Sequence, residues 1–562
     1  MTMAATEGAR AGLFRRLVSE PNPIWMREMR QSLRLGRTPW ILLVLTLTIS
    51  LVLCTAGGVA ASERMSPAQV GSGLFQAFFS FGYMVVVVVG PAVAANGIAA
   101  EREGRTWEAV LLAGLDANEL TRGKFLAAYT TLALYIVTLA PIGALSFLFG
   151  GVTATEVVVA FAFLFLVAAL SVAFGLAVSS LMQSLRGALV VTLALAVFIG
   201  PMLYGTFGIG GSLVIHNQWS DVPEGLPIWL PVAWTRAELG LRYVIVLLLV
   251  PLVLLVVPAR FLFEVTIANL TGDTDDQSTG LKRWFLFSTP PLAAVCVIPT
   301  VLASHNNQRD LSIGMQCLFF VYALFCALLF AREPIGPSRR VRVHWDRRGA
   351  SSLQRFFGPG LAKTSVLVAL VGVLAIGGLS LFDAVVTAPG LTDTDTARIL
   401  LLASYAAPFF IFTVGLLAWL RSRGANAWVA RVIAVGLLFL ISAGPWVVAA
   451  IVGALASNRG DKDWLVIGAP SPFYVFLMID EVRHSTSTAA RLIFAGMAAE
   501  IFWGAAGLFL LWRASRRCEA MMAAYDDAVA RAEAALGAED EARRATGAEL
   551  AAPLSAEASA AG

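Results

Sequence analysis

Twelve apolar stretches dominate this 562-residue chain, and each is long enough to cross a bilayer. A hydrocarbon core about 30 Å thick needs about 20 apolar residues per helix, and within lipid every backbone amide must find its partner inside its own segment. The stretches are therefore helices, near 40–60, 73–99, 125–149, 157–181, 187–209, 239–263, 285–304, 311–331, 364–388, 398–420, 429–454 and 490–512. With 58% hydrophobic and only 14% charged residues, the chain lies far from a soluble globular composition. The expected fold is an all-α polytopic membrane protein with about twelve transmembrane helices. No connecting segment is long enough to fold as a separate soluble catalytic domain.

Cys54, Cys296, Cys317, Cys326 and Cys518 sit mostly inside apolar runs without CxxC spacing, which argues against a disulfide framework or a metal site. His216, His305, His344 and His484 are scattered singly, so no metal ligand set is expected. The basic N-terminal stretch leads to a first apolar run near Trp40, read as an uncleaved span. With the N-terminus in the cytoplasm, most of the 41 Lys and Arg residues fall on or beside that side, including Arg339, Arg340, Arg342, Arg347 and Arg348. This asymmetry predicts both termini in the cytoplasm. The net charge of +4 is then assigned to contact with an anionic inner leaflet of the lipid bilayer, and nucleic acid is not an expected partner.

Ahead of the first span, Asn22-Pro23 opens a segment in which Ile24, Trp25, Met29 and Leu33 oppose a face of arginines, with Arg27-Glu28 between them. Such a segment is an amphipathic interfacial helix lying along the membrane surface. Pro23 suits its first position. The spacing also contains a weak twofold echo. Long loops, 100–124 and 332–363, follow the second span of each set of six, and the longest opposite-side loops, 210–238 and 455–489, precede the last. Two parallel six-helix halves would produce this pattern. Leu226–Trp234 and Pro470–Met478 are too short to cross and are expected to dip into the outer leaflet or lie on it. The resulting division is 1–38, N-terminus with interfacial helix; 39–263, first six-helix bundle; 264–513, second six-helix bundle; and 514–562, a cytoplasmic tail whose last part, Ala551–Gly562, looks disordered.

The segment Glu101–Lys124 is charged and turn-broken where lipid-buried sequence surrounds it. Trp107, Val110, Leu111 and Leu115 recur at helical spacing, with Glu101, Glu103, Arg105 and Glu108 nearer the polar side. Acidic residues at its start suit a helix N-terminus, Gly114 is placed to end it, and Asp116 with Glu119 is a capping-box-like start for the next helix. The pattern predicts helix, tight turn, helix, with Lys124 at the mouth of the third span.

This block, E-x-E-x-G-T leading to a Leu-Leu pair and closing on Gly-Lys, resembles the permease subunits of type-2 ABC exporters. Glu101, Glu103, Thr106, Leu111, Leu112, Gly123 and Lys124 match, while Gly104 and Arg105 are transposed relative to that pattern. The interfacial helix at Asn22, Pro23, Trp25, Arg27 and Glu28 is similar to the same family's surface helix. The resemblance covers residues 20–263. Beyond them, 332–363 occupies the place of a second coupling loop but lacks a Glu-Gly-Thr core.

The resemblance implies that 101–124, with Gly104, Arg105 and Trp107, forms a coupling helix that seats in a groove of an ABC ATP-binding subunit. It implies a transmembrane permease of an ATP-driven export system in a bacterial inner membrane, acting as a homodimer or with a second permease. The chain itself lacks a phosphate-binding loop, because Gly123-Lys124 has no earlier glycine at the required spacing. It is therefore expected to be no enzyme, with ATP and Mg bound by the partner ATPase. Glu500, in the middle of the last span, is a possible substrate or proton contact. An ion- or proton-coupled secondary transporter is the alternative. It would place several ionisable groups near the midplane, where this chain offers mainly Glu500.

Overall fold

A computed structural model describes residues 22–34, 37–63, 65–105, 116–222, 229–272, 275–303, 305–387, 393–455, 463–482, 484 and 486–560. Among these residues all regular structure is helical. Twelve helices are long and apolar enough to cross a membrane, matching the twelve stretches read from the sequence. The chain is a multi-pass membrane protein. It divides into two compact units, Met1–Ile298 and Pro299–Gly562, with the division falling inside the seventh span rather than at 263/264.

The first unit begins with α1 (Pro23–Arg34), followed by α2 (Arg37–Ser62), α3 (Pro67–Glu103), α4 (Ala117–Leu148), α5 (Ala154–Leu181) and α6 (Leu185–Leu203). A π-helical stretch, Tyr204–Gly210, joins α6 to α7 (Gly211–Gln218), and the short α8 (Trp229–Arg236) follows. Leu241–Tyr243 and a second π-helical stretch, Val244–Leu249, lead into α9 (Val250–Leu270), and α10 (Thr279–Leu302) carries the division between units.

Local chemistry sets where these helices begin. Ser66 and Gln69 form a capping box ahead of α3, with Pro67 at its first position, and Thr153 with Glu156 does the same for α5. In lipid, close approach depends on small residues rather than on expulsion of water. A Cβ at Gly175 of α5 would stand 2.3 Å from the Pro91 carbonyl of α3, so α3 and α5 meet backbone to backbone. Phe75, Phe78, Phe79 and Phe161 fill the space above this contact, with the Phe78 and Phe79 centroids 4.8 Å apart and those of Phe79 and Phe161 5.0 Å apart. In α8, Thr235 donates to the buried Glu156 at 2.8 Å and Arg236 lies 3.6 Å from it, so the end of α8 packs against α5.

The second unit contains α11 (His305–Phe330), α12 (Arg339–Arg348), α13 (Ser352–Phe357), α14 (Leu361–Thr387), α15 (Asp393–Ser422) and α16 (Ala427–Leu455). A 3-10 turn, Asp463–Gly468, leads to α17 (Tyr474–Glu481) and then to α18 (Ser487–Ala560). The segment 332–363 therefore forms α12 and α13, capped by Ser338 and Ser351. The pair α15–α18 is held by reciprocal glycines. A Cβ at Gly507 would stand 2.5 Å from the Phe412 nitrogen, and one at Gly415 would stand 2.5 Å from the Gly507 carbonyl.

In the loop at Pro470–Tyr474, Ser471 and Tyr474 are buried while Pro470 and Phe473 are exposed. Ser471 accepts from the Trp446 indole at 2.9 Å and donates to the Ser442 carbonyl at 2.7 Å. Tyr405 donates to the Ala469 carbonyl and Trp503 to the Pro470 carbonyl. Non-helical backbone at membrane depth needs such partners, because lipid supplies none. Beyond its apolar part, α18 runs on without a break, and α12 is fastened to it by Arg342–Asp526 at 2.7 Å and by Arg339–Glu533. This last helix, α18, is traced as far as Ala560.

Candidate functional site

The site lies where α1 meets the end of α3 and the start of α4. Asn22 begins α1 by accepting from the Ile24 amide at 3.0 Å, while its own amide donates to the Glu119 carbonyl of α4 at 2.9 Å. One side chain thus caps the interfacial helix and docks it. Gly123 makes that docking possible, since a Cβ there would stand 2.5 Å from Asn22 Oδ1 and 2.8 Å from Ile24 Cβ. Trp25 adds an indole hydrogen bond to Thr130 at 3.3 Å.

Behind this contact two cations and two carboxylates close a neutral quartet. Arg27 pairs with Glu28 at 2.9 Å and with Glu101. Lys124 lies 2.9 Å from Glu101 and 3.3 Å from Glu28, and its ammonium also donates to the Gly97 carbonyl at 2.6 Å. The Lys124 side chain is 1% exposed. An ammonium has three N–H donors and here meets three acceptors, which is what makes its burial tolerable. Burial acts to raise the Glu28 pKa, but the Lys124 ammonium and the Arg27 guanidinium outweigh it and hold Glu28 below the ordinary carboxylate value. For Arg27, burial acts downward and the two carboxylates outweigh it, raising its pKa.

The acidic pair does not open a helix, as its sequence pattern predicts. Glu101 and Glu103 close α3, at the helix end where negative charge is least favourable. Partners on three other elements offset this. Glu101 is held by the quartet, and Glu103 accepts the Leu185 amide at 2.7 Å, at the N-terminus of α6 where a carboxylate is favoured. Between them, Arg102 donates to the Ser180 and Met182 carbonyls at 2.8 and 3.2 Å, satisfying the end of α5. Ser179 completes the brace, donating to Ala95 O at 2.6 Å and accepting from the Ala99 amide at 3.0 Å.

Two further details depart from the sequence reading. Asp116 precedes α4 with extended backbone but makes no capping hydrogen bond. Lys124 is the eighth residue of α4 and is buried, rather than standing at its mouth. Gly104 has φ −75° and both it and Arg105 are exposed, but the left-handed backbone falls on Arg105, with φ 55°. The transposition of these two residues thus places an arginine where glycine carries no steric penalty. Thr106, Trp107, Leu111 and Leu112, with Gly114, lie outside the described residues.

Residues 59–231 match the family described as ABC-2 family transporter protein. Over this segment, about a third of its length, the chain is similar to ABC-2 family transporter proteins. No curated protein matches the chain. The matched segment contains Glu101, Gly123 and Lys124, together with the Arg102 and Glu103 braces. The interfacial-helix residues Asn22–Glu28 lie ahead of it, yet the structure joins them to it.

Glu500 lies in the other unit, half-buried, with Ser404 3.0 Å away. A second buried carboxylate there, Asp383, escaped the sequence reading because it lies near the end of its span. It is 0% exposed and accepts from Ser312 at 2.7 Å and Gln316 at 3.3 Å. Its signal was an aspartate within the run 364–388. Among the described residues no group of three or more His, Cys, Asp or Glu side chains converges as a metal site.

Proposed function

We propose that this permease is the transmembrane subunit of an ATP-driven export system and receives its energy from a separate ATP-binding subunit seated against 104–115. One observation carries the reading: the end of α3 and the start of α4, which flank that segment, are cross-braced by buried charges to α1 and by hydrogen bonds to α5 and α6. A displacement of the segment by closing ATPase subunits is then passed to five helices at once, not to a loose loop. Coupling of this kind requires that the ATPase contact the two conformations of the permease with different free energies.

In this reading the site faces the cytoplasm of a bacterial inner membrane, as the distribution of Lys and Arg favours, and both termini lie on that side. Two copies of the chain, or this chain with a second permease, present two such segments to two ATPases. ATP and Mg belong to the partner. The family resemblance supports export as the direction, and the cargo is left unassigned.

The test is co-expression and co-purification with an ABC ATP-binding subunit from the same source. Glu103 is a poor probe because it caps α6, whereas Gly104 and Arg105 are exposed. Gly104→Trp and Trp107→Asp are expected to abolish ATPase capture while the melting temperature of the permease holds. Undiminished capture by both variants would overturn the assignment.

A further inference from the structure

Glu500 belongs to none of the machinery above. It stands near the middle of the apolar stretch 490–512, and no other ionisable residue lies on α18 between Arg491 and Arg513. Its neighbours on α18 are apolar and outward, with Phe494 74%, Ile501 72% and Phe502 61% exposed. A charged carboxylate at such depth costs roughly 2.5–3.5 kcal/mol on insertion scales.

Among the described residues, the carboxyl meets a hydroxyl oxygen and pairs with no cation. Ser404 Oγ lies 3.0 Å from Glu500 Oε1 and 2.8 Å from the Leu401 carbonyl. A serine hydroxyl has one proton. If that proton serves the Leu401 carbonyl, as serine does within helices, the bond to Glu500 requires a proton on the carboxyl. Pro408 lies four residues beyond Ser404 and cannot donate to the Ser404 carbonyl, which leaves this side of α15 rich in acceptors.

Among the described residues, the charged groups of the neighbouring elements pair elsewhere or lie near helix ends. Next to Ser404, Tyr405 donates to Ala469, and Tyr474 of α17 donates to Leu492. On α15 the charged residues are Asp393, Asp395 and Arg398 near one end and Arg421 near the other; on α14 they are Lys363 and Asp383; on α17 they are Asp480 and Glu481. Among the described residues none of these forms an ion pair with Glu500.

We propose that Glu500 is a proton-binding site of the second unit, a carboxylic acid that holds its proton at neutral pH and donates it to Ser404 Oγ. The non-helical backbone at Pro470, held by Trp503 one turn away on α18, sets this acid beside a break in the helical lattice. Such breaks mark the places where transport proteins handle small ions, and the ion this chemistry selects is the proton. Its role is independent of ATPase docking.

Dicyclohexylcarbodiimide tests this on the full chain in lipid nanodiscs. The acid proton passes to a carbodiimide nitrogen while the carboxylate oxygen adds to the central carbon, and rearrangement leaves a stable N-acylurea. An adduct mapped to Glu500 at neutral pH, declining as pH rises and absent from Glu500→Gln, is expected. Infrared spectroscopy gives a second reading that requires no variant of Glu500 itself. Ser404→Ala should raise the carbonyl stretch of the protonated carboxyl, because its hydrogen bond is lost. Lack of reaction at Glu500, reaction at Asp383 alone, or a protonated-carboxyl band indifferent to Ser404→Ala overturns the proposal.

Discussion

The ammonium of Lys124 lies 2.9 Å from the Glu101 carboxylate, and this pair fastens the last turn of α3 to the body of α4. Lys124→Met would keep the stem and remove the charge, leaving Glu101 and Glu28 facing one fewer cation in a buried setting. Loss of one partner from a buried pair costs about 3–5 kcal/mol. The variant should unfold at markedly lower denaturant. Adding Glu101→Gln should recover part of the loss, with a coupling of roughly 1–3 kcal/mol between the two sites. Additive effects would mean that the pair is not coupled.

Arg105 offers a change in the opposite direction. Its φ of 55° costs an L-residue roughly 1–2 kcal/mol, and glycine avoids that penalty while adding some freedom to the unfolded chain. Arg105→Gly is expected to stabilise the protein by about 1 kcal/mol, and Arg105→Val to destabilise it. Thermal unfolding in detergent measures both. A lower melting temperature for the glycine variant would contradict the backbone assignment.

Glu28 makes the docking of α1 dependent on pH. Its folded-state pKa is depressed, so the stabilisation it brings is complete above the ordinary carboxylate value of 4.5 and is lost as pH falls through the lower folded value. Hydrogen exchange of 23–34 should stay slow, once corrected for intrinsic rates, from neutral pH down to that value and then accelerate. In Glu28→Gln the exchange should be faster at neutral pH and the acid step smaller. An unchanged acid step in that variant would assign the titration to another group.

Gly507 sets the separation of α15 and α18. Gly507→Val would drive a side chain into the Phe412 backbone, where neither helix has a flexible group to yield. Overpacking of this kind costs about 1–3 kcal/mol. The variant should lose resistance to dodecyl sulfate, while Gly436→Val, at a glycine with open space around it, should not. Equal sensitivity in both would remove the close contact from the explanation.

The spans were legible because a bilayer imposes length and polarity on every crossing, and the run 398–420 reappears inside Asp393–Ser422. The members of the quartet could also be singled out one by one. Their pairing could not, because Glu28 and Lys124 are 96 positions apart and nothing in periodicity says which helices touch. For the same reason, periodicity could not show that Lys124 and Glu101 meet as an ion pair. The Gly104-Arg105 transposition was visible, but its consequence depended on which of the two receives the left-handed backbone. The anchoring of Ser471 and Tyr474 escaped because a short apolar loop with proline reads equally well as resting on lipid.

The unbroken course of α18 has a mechanical corollary. From Glu500 to Glu533 is 33 residues, roughly 50 Å of continuous helix, and Arg339 and Arg342 clasp it near that far end. A shaft without a joint transmits twist, so a turn of the apolar portion by the width of one side chain arrives undiminished at α12. Whatever restrains α12 therefore restrains the final crossing as well, and the two behave as a single crank.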